Sequence, residues 1–155
     1  MAKVLNILVL GSGGVGKTAF INRLNNTNFE RLYIPTQGQV ATNVNYNNVV
    51  FNLVEFAGQE QYGKAQYLDA DAIILMFDYT SNLSYKNLQY WYDNKCSAKH
   101  IPIVIVANKI DVQYIGQNKP KKPMPFEQEN FRYFEISAKN NTNVTNVMDY
   151  LYEQM

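Results

Sequence analysis

Cysteine occurs once, at Cys96, so no internal disulfide can form and the thiol clusters that hold structural metals are missing. A reducing compartment is the default expectation. Long apolar runs are missing too, since nothing approaches the roughly 20 consecutive apolar residues that span a bilayer. The opening Met1 to Leu10 holds one short apolar run that leads straight into glycines, without the length or cleavage pattern of a signal peptide. Ala2 rather than glycine follows Met1, and the closing Leu151-Tyr152-Glu153-Gln154-Met155 has no cysteine to prenylate, so no membrane anchor is expected. Charge of one sign is also scarce. Charged residues make 17% of the chain and the formal net charge is +1, which leaves no broad field for nucleic acid or an anionic membrane.

What is present is globular material. Hydrophobic residues make 46%, with 12 Tyr and 8 Phe, which excludes a disordered or collagen-like chain. A length of 155 residues suits one compact domain, expected over 1–155. Asparagine recurs in 22–28, 43–52 and 140–146 without becoming a pure low-complexity tract.

Apolar runs alternate with helical patterns: Val4 to Leu10 then Thr18 to Leu24; Ala72 to Phe77 then Ser84 to Cys96; Ile103 to Val106; Phe131 to Ile136 then Val144 to Met155. This is βα alternation. Ala72-Ile-Ile-Leu-Met-Phe77 and Ile103-Val-Ile-Val106 are continuous rather than alternating, as in parallel strands covered by helices on both faces. Between Gln39 and Phe56 the pattern is not helical, and Asn45-Tyr46-Asn47-Asn48 is a turn signal, so this stretch predicts an antiparallel hairpin at one edge. The expected fold is α/β, a mostly parallel six-stranded sheet with one antiparallel edge hairpin and helices on both faces. Val144, Val147, Met148, Leu151 and Met155 recur at helical spacing and predict a helix packed on the core. Lys119-Pro-Lys-Lys-Pro-Met-Pro125 breaks any helix and predicts a surface loop.

Gly11-Ser12-Gly13-Gly14-Val15-Gly16-Lys17-Thr18 fits G-x-x-x-x-G-K-[ST], after an apolar strand and before a helix, as a P-loop requires. Its glycines let backbone N–H groups turn toward phosphate oxygens. Lys17 adds positive charge, Thr18 a hydroxyl for Mg²⁺, and the helix N-terminus further positive potential. Asn108-Lys109-Ile110-Asp111 follows the strand Ile103 to Val106, at the carboxyl edge where parallel α/β sheets bind ligands. The carboxylate of Asp111 can accept both the ring N–H and the exocyclic amino hydrogens of guanine, a donor pair that adenine lacks on that edge. Ser137-Ala138-Lys139 follows the strand Tyr133 to Ile136 and can present backbone N–H groups to the guanine carbonyl oxygen.

With these elements in this order, the sequence resembles the Ras superfamily of small GTPases over essentially its whole length. Phe29-Glu-Arg-Leu-Tyr33-Ile-Pro-Thr36-Gln-Gly38 is similar to that family's first switch, and Ala57-Gly58-Gln59-Glu60 to its second. Met76-Phe77-Asp78-Tyr-Thr-Ser81, Tyr85-Lys86-Asn87-Leu88, Ile101-Pro102-Ile103-Val104 and Phe131-Arg-Tyr-Phe-Glu-Ile-Ser-Ala-Lys139 resemble the Ran branch most. The resemblance implies that Phe29 packs beside the base, that Thr18 and Thr36 ligate Mg²⁺, and that Tyr33 covers the phosphates. It implies that Gly58 senses the γ-phosphate through its N–H and that Gln59 orients the attacking water, with Lys17 and Thr36 completing the catalytic set. Hydrolysis would then release both switches and change the surface that a partner reads.

The chain departs from the family in three ways. Glu55-Phe56-Ala57-Gly58 stands where the pattern has Asp-x-x-Gly, so the acid expected to support Mg²⁺ is one methylene longer. The hairpin between Thr36 and Glu55 and the second switch from Gly58 to Ala72 both read as short, the latter by about one helical turn. Arg31 is the one arginine of the first switch, so an arginine finger is expected in trans. The expected function is a guanine-nucleotide switch that binds GTP and GDP with Mg²⁺ and hydrolyses GTP slowly, on the order of 10⁻⁴ s⁻¹ as in the family's reference case. A competing reading is a pseudo-GTPase that holds guanine nucleotide with little hydrolysis; a third, an ATP-using P-loop kinase, is disfavoured by Asn108 to Asp111. Expected partners are guanine nucleotide and, through the switches, effectors, an exchange factor and an activating protein. The chain is expected to be a monomer in the cytoplasm, with nuclear entry following only from the Ran analogy.

Overall fold

The computed structural model describes residues 3–24, 31–34, 39–56, 70–93, 101–111 and 131–154. The strands are β1 (Lys3–Leu10), β2 (Arg31–Ile34), β3 (Gln39–Tyr46), β4 (Val49–Phe56), β5 (Ala72–Asp78), β6 (Ile103–Asn108) and β7 (Arg132–Glu135). The helices are α1 (Lys17–Leu24), α2 (Asn82–Lys86), α3 (Leu88–Trp91) and α4 (Val144–Gln154). All seven strands form one sheet in the order β2-β3-β4-β1-β5-β6-β7. β4, β1, β5, β6 and β7 run parallel; β3 pairs antiparallel with β4, and β2 with β3. The mostly parallel sheet with its antiparallel edge is thus present, and the short β2 extends that edge by a strand that no periodicity announces.

Why the central strands read as unbroken apolar runs is visible in the packing. On β1, Leu5, Ile7 and Val9 join Phe20 and Ile21 of α1 and Val144, Val147, Met148 and Leu151 of α4 in one core. Leu8 and Leu10 point the other way, into a second core with Ile73, Leu75, Phe77, Leu88 and Trp91. Successive residues of a strand face opposite sides, so a strand covered by helices on both faces must be apolar at every position. Each such side chain stabilises the fold by about 1.5–3 kcal/mol on full burial.

Two helical expectations are refined. The pattern from Ser84 begins earlier, at Asn82, where Ser81 caps the helix by accepting from Ser84 N–H at 3.2 Å. At Asn87 (ψ −13) the helix loosens into two pieces, although Asn87 N–H still reaches Leu83 O at 2.9 Å. The hairpin turn is where the asparagines put it: Tyr46 pairs with Val49, and Asn47 takes a left-handed conformation (φ 53), which asparagine tolerates better than most residues. Met155, Cys96 and the Lys119 to Pro125 loop lie outside the described residues.

Candidate functional site

The carboxyl ends of β1, β4, β5 and β6 open on one edge of the sheet, and the predicted site residues come from the segments that leave it. After β1 the chain bends at Gly11, whose hydrogen faces Met76 O so closely that a Cβ would collide with it. Lys17 then opens α1. Its side chain is 7% exposed and curls back so that Nζ donates to Gly11 O at 2.6 Å and Ser12 O at 3.0 Å. Burial lowers its pKa to about 8, partly opposed by the nearby charge of Glu55. An ammonium held among carbonyls on the floor of a loop is a cation placed for an anion.

On β4 the alternation that sends Phe51 and Leu53 into the α1 core also sends Glu55 to that side, where it is 5% exposed. Thr18 Oγ1 donates to Glu55 Oε1 at 2.7 Å. The longer acid therefore touches the P-loop threonine directly. This hydroxyl and carboxylate fit a hard cation such as Mg²⁺, which takes one or two protein oxygens and fills its remaining positions with water and phosphate. No cluster of three or more His, Cys, Asp or Glu that could form an all-protein cage occurs among the described residues.

Asn108, 2% exposed, ties the loops together. Its Nδ2 donates to Val15 O at 3.0 Å, and its Oδ1 accepts from Ala138 N–H at 3.1 Å. Gly16 must pass beneath this amide: at φ 99 a Cβ there would run into Asn108 Nδ2. Lys109, itself at φ 70, donates to Gly14 O at 2.7 Å and pairs with Asp78 at 3.1 Å. Asp78 ends β5 opposite Asn108 in the register and is held by Thr80, whose N–H and hydroxyl donate at 2.8 and 2.7 Å.

Beyond β7 the segment Ser137-Ala138-Lys139 closes on itself, Ser137 and Thr142 exchanging backbone bonds at 3.1 and 2.9 Å. Ser137 Oγ donates to Asp111 Oδ1 at 2.7 Å and accepts from Asn140 N–H at 3.0 Å. Arg23, from the last turn of α1, donates through Nε to Ala138 O and through Nη2 to Lys139 O, both at 2.8 Å. Between α1 and these loops lies a cavity of about 560 Å³, lined by Gly16, Asn108, Lys109, Asp111, Ala138 and Lys139 together with Ala19, Asn22 and Arg23. Its volume suits a small organic ligand. On its wall Asn108, Lys109, Asp111 and Arg23 are each held by hydrogen bonds to neighbouring segments.

Ser12, Gly13, Gly14, Val15, Gly16, Lys17 and Thr18 thus sit on one continuous loop and helix start, with Glu55 touching it; Asn108 and Lys109, at the end of β6, bond to that loop, and Asp111, Ser137, Ala138 and Lys139 lie beside them after β6 and β7. Tyr33 lies on β2 opposite Val40. Phe29, Thr36, Gly58 and Gln59 lie outside the described residues. Sequence reasoning missed Arg23 as a site residue, although its spacing of four from Ala19 places both on one face of α1. It gave Asp78 no site role, although that residue ends the strand beside Asn108. It also missed the bond from Asn87 Nδ2 to Ser12 Oγ at 3.0 Å, for which no local pattern exists. From Asn6 to Met155 the chain matches the family model of the Ras family.

Proposed function

Because this chain belongs to the Ras family of GTP-binding switch proteins, we propose that it binds GTP and GDP with Mg²⁺ and hydrolyses GTP slowly, presenting a partner surface in the GTP state. The observation that carries this reading is Asp111. Its carboxylate lies on the wall of the 560 Å³ cavity with one oxygen fixed by Ser137, so a base with adjacent N–H and amino donors meets an acceptor already in position. Lys17 and the amides that follow Gly11 take the phosphates. Thr18 and Glu55, with Thr36, would hold Mg²⁺, which when bound would supply positive charge beside the phosphate oxygens. Phe29 flanks the base, Tyr33 closes over the phosphates, Gly58 senses the γ-phosphate and Gln59 orients water. Effectors, an exchange factor and an activating protein read the two switches; the chain acts as a monomer over 1–155, in the cytoplasm and, if the Ran likeness extends to location, in the nucleus.

The competing reading is a pseudo-GTPase, and it rests on Glu55 standing where the family pattern has aspartate. Thr18 Oγ1 donates its hydrogen to Glu55 Oε1, which leaves the hydroxyl lone pairs open to a cation, so what is in question is the longer reach of Glu55 and not the bond itself. Single-turnover GTP hydrolysis at controlled Mg²⁺ separates the two, comparing the native chain with Glu55→Asp and Gln59→Leu. An active switch loses rate with Gln59→Leu; a native rate no faster than that variant's makes the protein a binding module.

A further inference from the structure

We propose that Arg23 is a positioning residue for the base, aiming the Lys139 N–H at the ring carbonyl of a guanine nucleotide; this rests on the guanine reading above. In the unit joining Ser137 and Ala138, Ser137 O accepts from Thr142 N–H at 2.9 Å and Ala138 N–H donates to Asn108 Oδ1 at 3.1 Å. In the unit joining Lys139 and Asn140, Lys139 O accepts from Arg23 Nη2 at 2.8 Å and Asn140 N–H donates to Ser137 Oγ at 3.0 Å. Both of these units are bonded at each end. In the unit between them, Ala138 O accepts from Arg23 Nε at 2.8 Å, and among the described residues Lys139 N–H has no acceptor.

A trans peptide is planar, so its N–H points opposite to its C=O. By holding Ala138 O, Arg23 therefore fixes where Lys139 N–H points. The planar guanidinium meets two successive carbonyls at once, which a single ammonium cannot do. Arg23 and Lys139 both line the cavity that Asp111 faces. The pocket thus offers two complementary readers: an acceptor, Asp111, fixed by Ser137, and a donor, Lys139 N–H, fixed by Arg23. Ala138 N–H, engaged with Asn108, would have to share its bond to serve the same role.

The test uses the full chain and three diphosphates: GDP; inosine diphosphate, which keeps the ring carbonyl and ring N–H but lacks the amino group; and 2-aminopurine riboside diphosphate, which keeps the amino group but lacks the carbonyl and the ring N–H that goes with it, so that the part of its deficit which depends on Arg23 reports the carbonyl contact. With Arg23→Ala, GDP release is expected to quicken roughly tenfold or more, as for loss of a charge-assisted bond pair. The preference for GDP over the 2-aminopurine nucleotide should shrink, while that for GDP over inosine diphosphate, set by Asp111, should persist. Arg23→Lys, which keeps the charge but not the fork, should behave like Arg23→Ala and guards against a variant that fails to fold. Unchanged release and selectivity would overturn the proposal, as would equal weakening toward all three nucleotides or full rescue by lysine. If the native chain itself shows no preference for GDP over ATP, the guanine reading fails first and this inference falls with it.

Discussion

At the scale of single residues, the buried polar groups decide most. Asn108 satisfies Val15 O and Ala138 N–H with one side chain. Asn108→Ala leaves both without that partner, and we expect a loss of about 2–4 kcal/mol in urea unfolding. Gly16 is irreplaceable for a different reason: alanine there would carry a strained left-handed φ and a Cβ against Asn108. Gly16→Ala should cost about 2 kcal/mol or more and lose bound nucleotide, read by nucleotide content after purification. Thr42 points the opposite way. It is fully buried on β3, and among the described residues its Oγ1 has no hydrogen-bond partner. Thr42→Val replaces the hydroxyl by a methyl of similar shape and should stabilise the protein by about 1 kcal/mol, seen as a higher urea midpoint with an unchanged slope.

At the scale of elements, packing decides where the site segments lie, even for an element that supplies no site residue. α4 has no part in the pocket, yet its buried stripe anchors the face on which α1 lies. Leu151→Ala should therefore cost about 2–5 kcal/mol by calorimetry or urea while nucleotide selectivity stays that of the native chain. What was legible in sequence follows the same division. Val4 to Leu10, Ala72 to Phe77 and Ile103 to Val106 announce themselves as strands because burial on both faces leaves no polar position. The P-loop and Asn108 to Asp111 announce themselves because their chemistry is local and sits where a strand ends. β2 does not, since Arg31 to Ile34 owes its form to pairing with β3 rather than to any pattern of its own. Nor do the links from Arg23 to Ala138 or from Asn87 to Ser12, which join residues 115 and 75 positions apart. Only the topology brings such pairs together, and no periodicity encodes it.

At the scale of the whole molecule, the parallel strands carry the P-loop, Glu55, Asp78 and the two loops after β6 and β7 to one edge of the sheet. The P-loop leaves β1, Glu55 comes from β4, Asp78 from β5, Asn108 to Asp111 from β6, and Ser137 to Lys139 follow β7. On the proposed reading, phosphate and base would meet segments that leave different strands of one sheet. A ligand that spans both ends holds the folded state, and saturation at 100 times its Kd should add about 2.7 kcal/mol to stability. The most direct measurement of the account is competition for the pocket, with a fluorescent GDP bound to the full chain and displaced by unlabelled nucleotide. GTP and GDP are expected to displace it alike, while ATP fails even at roughly a thousandfold excess, a gap of about 4 kcal/mol. Displacement by ATP at the same concentration as GTP would contradict the assignment of Asp111, and with it the guanine switch.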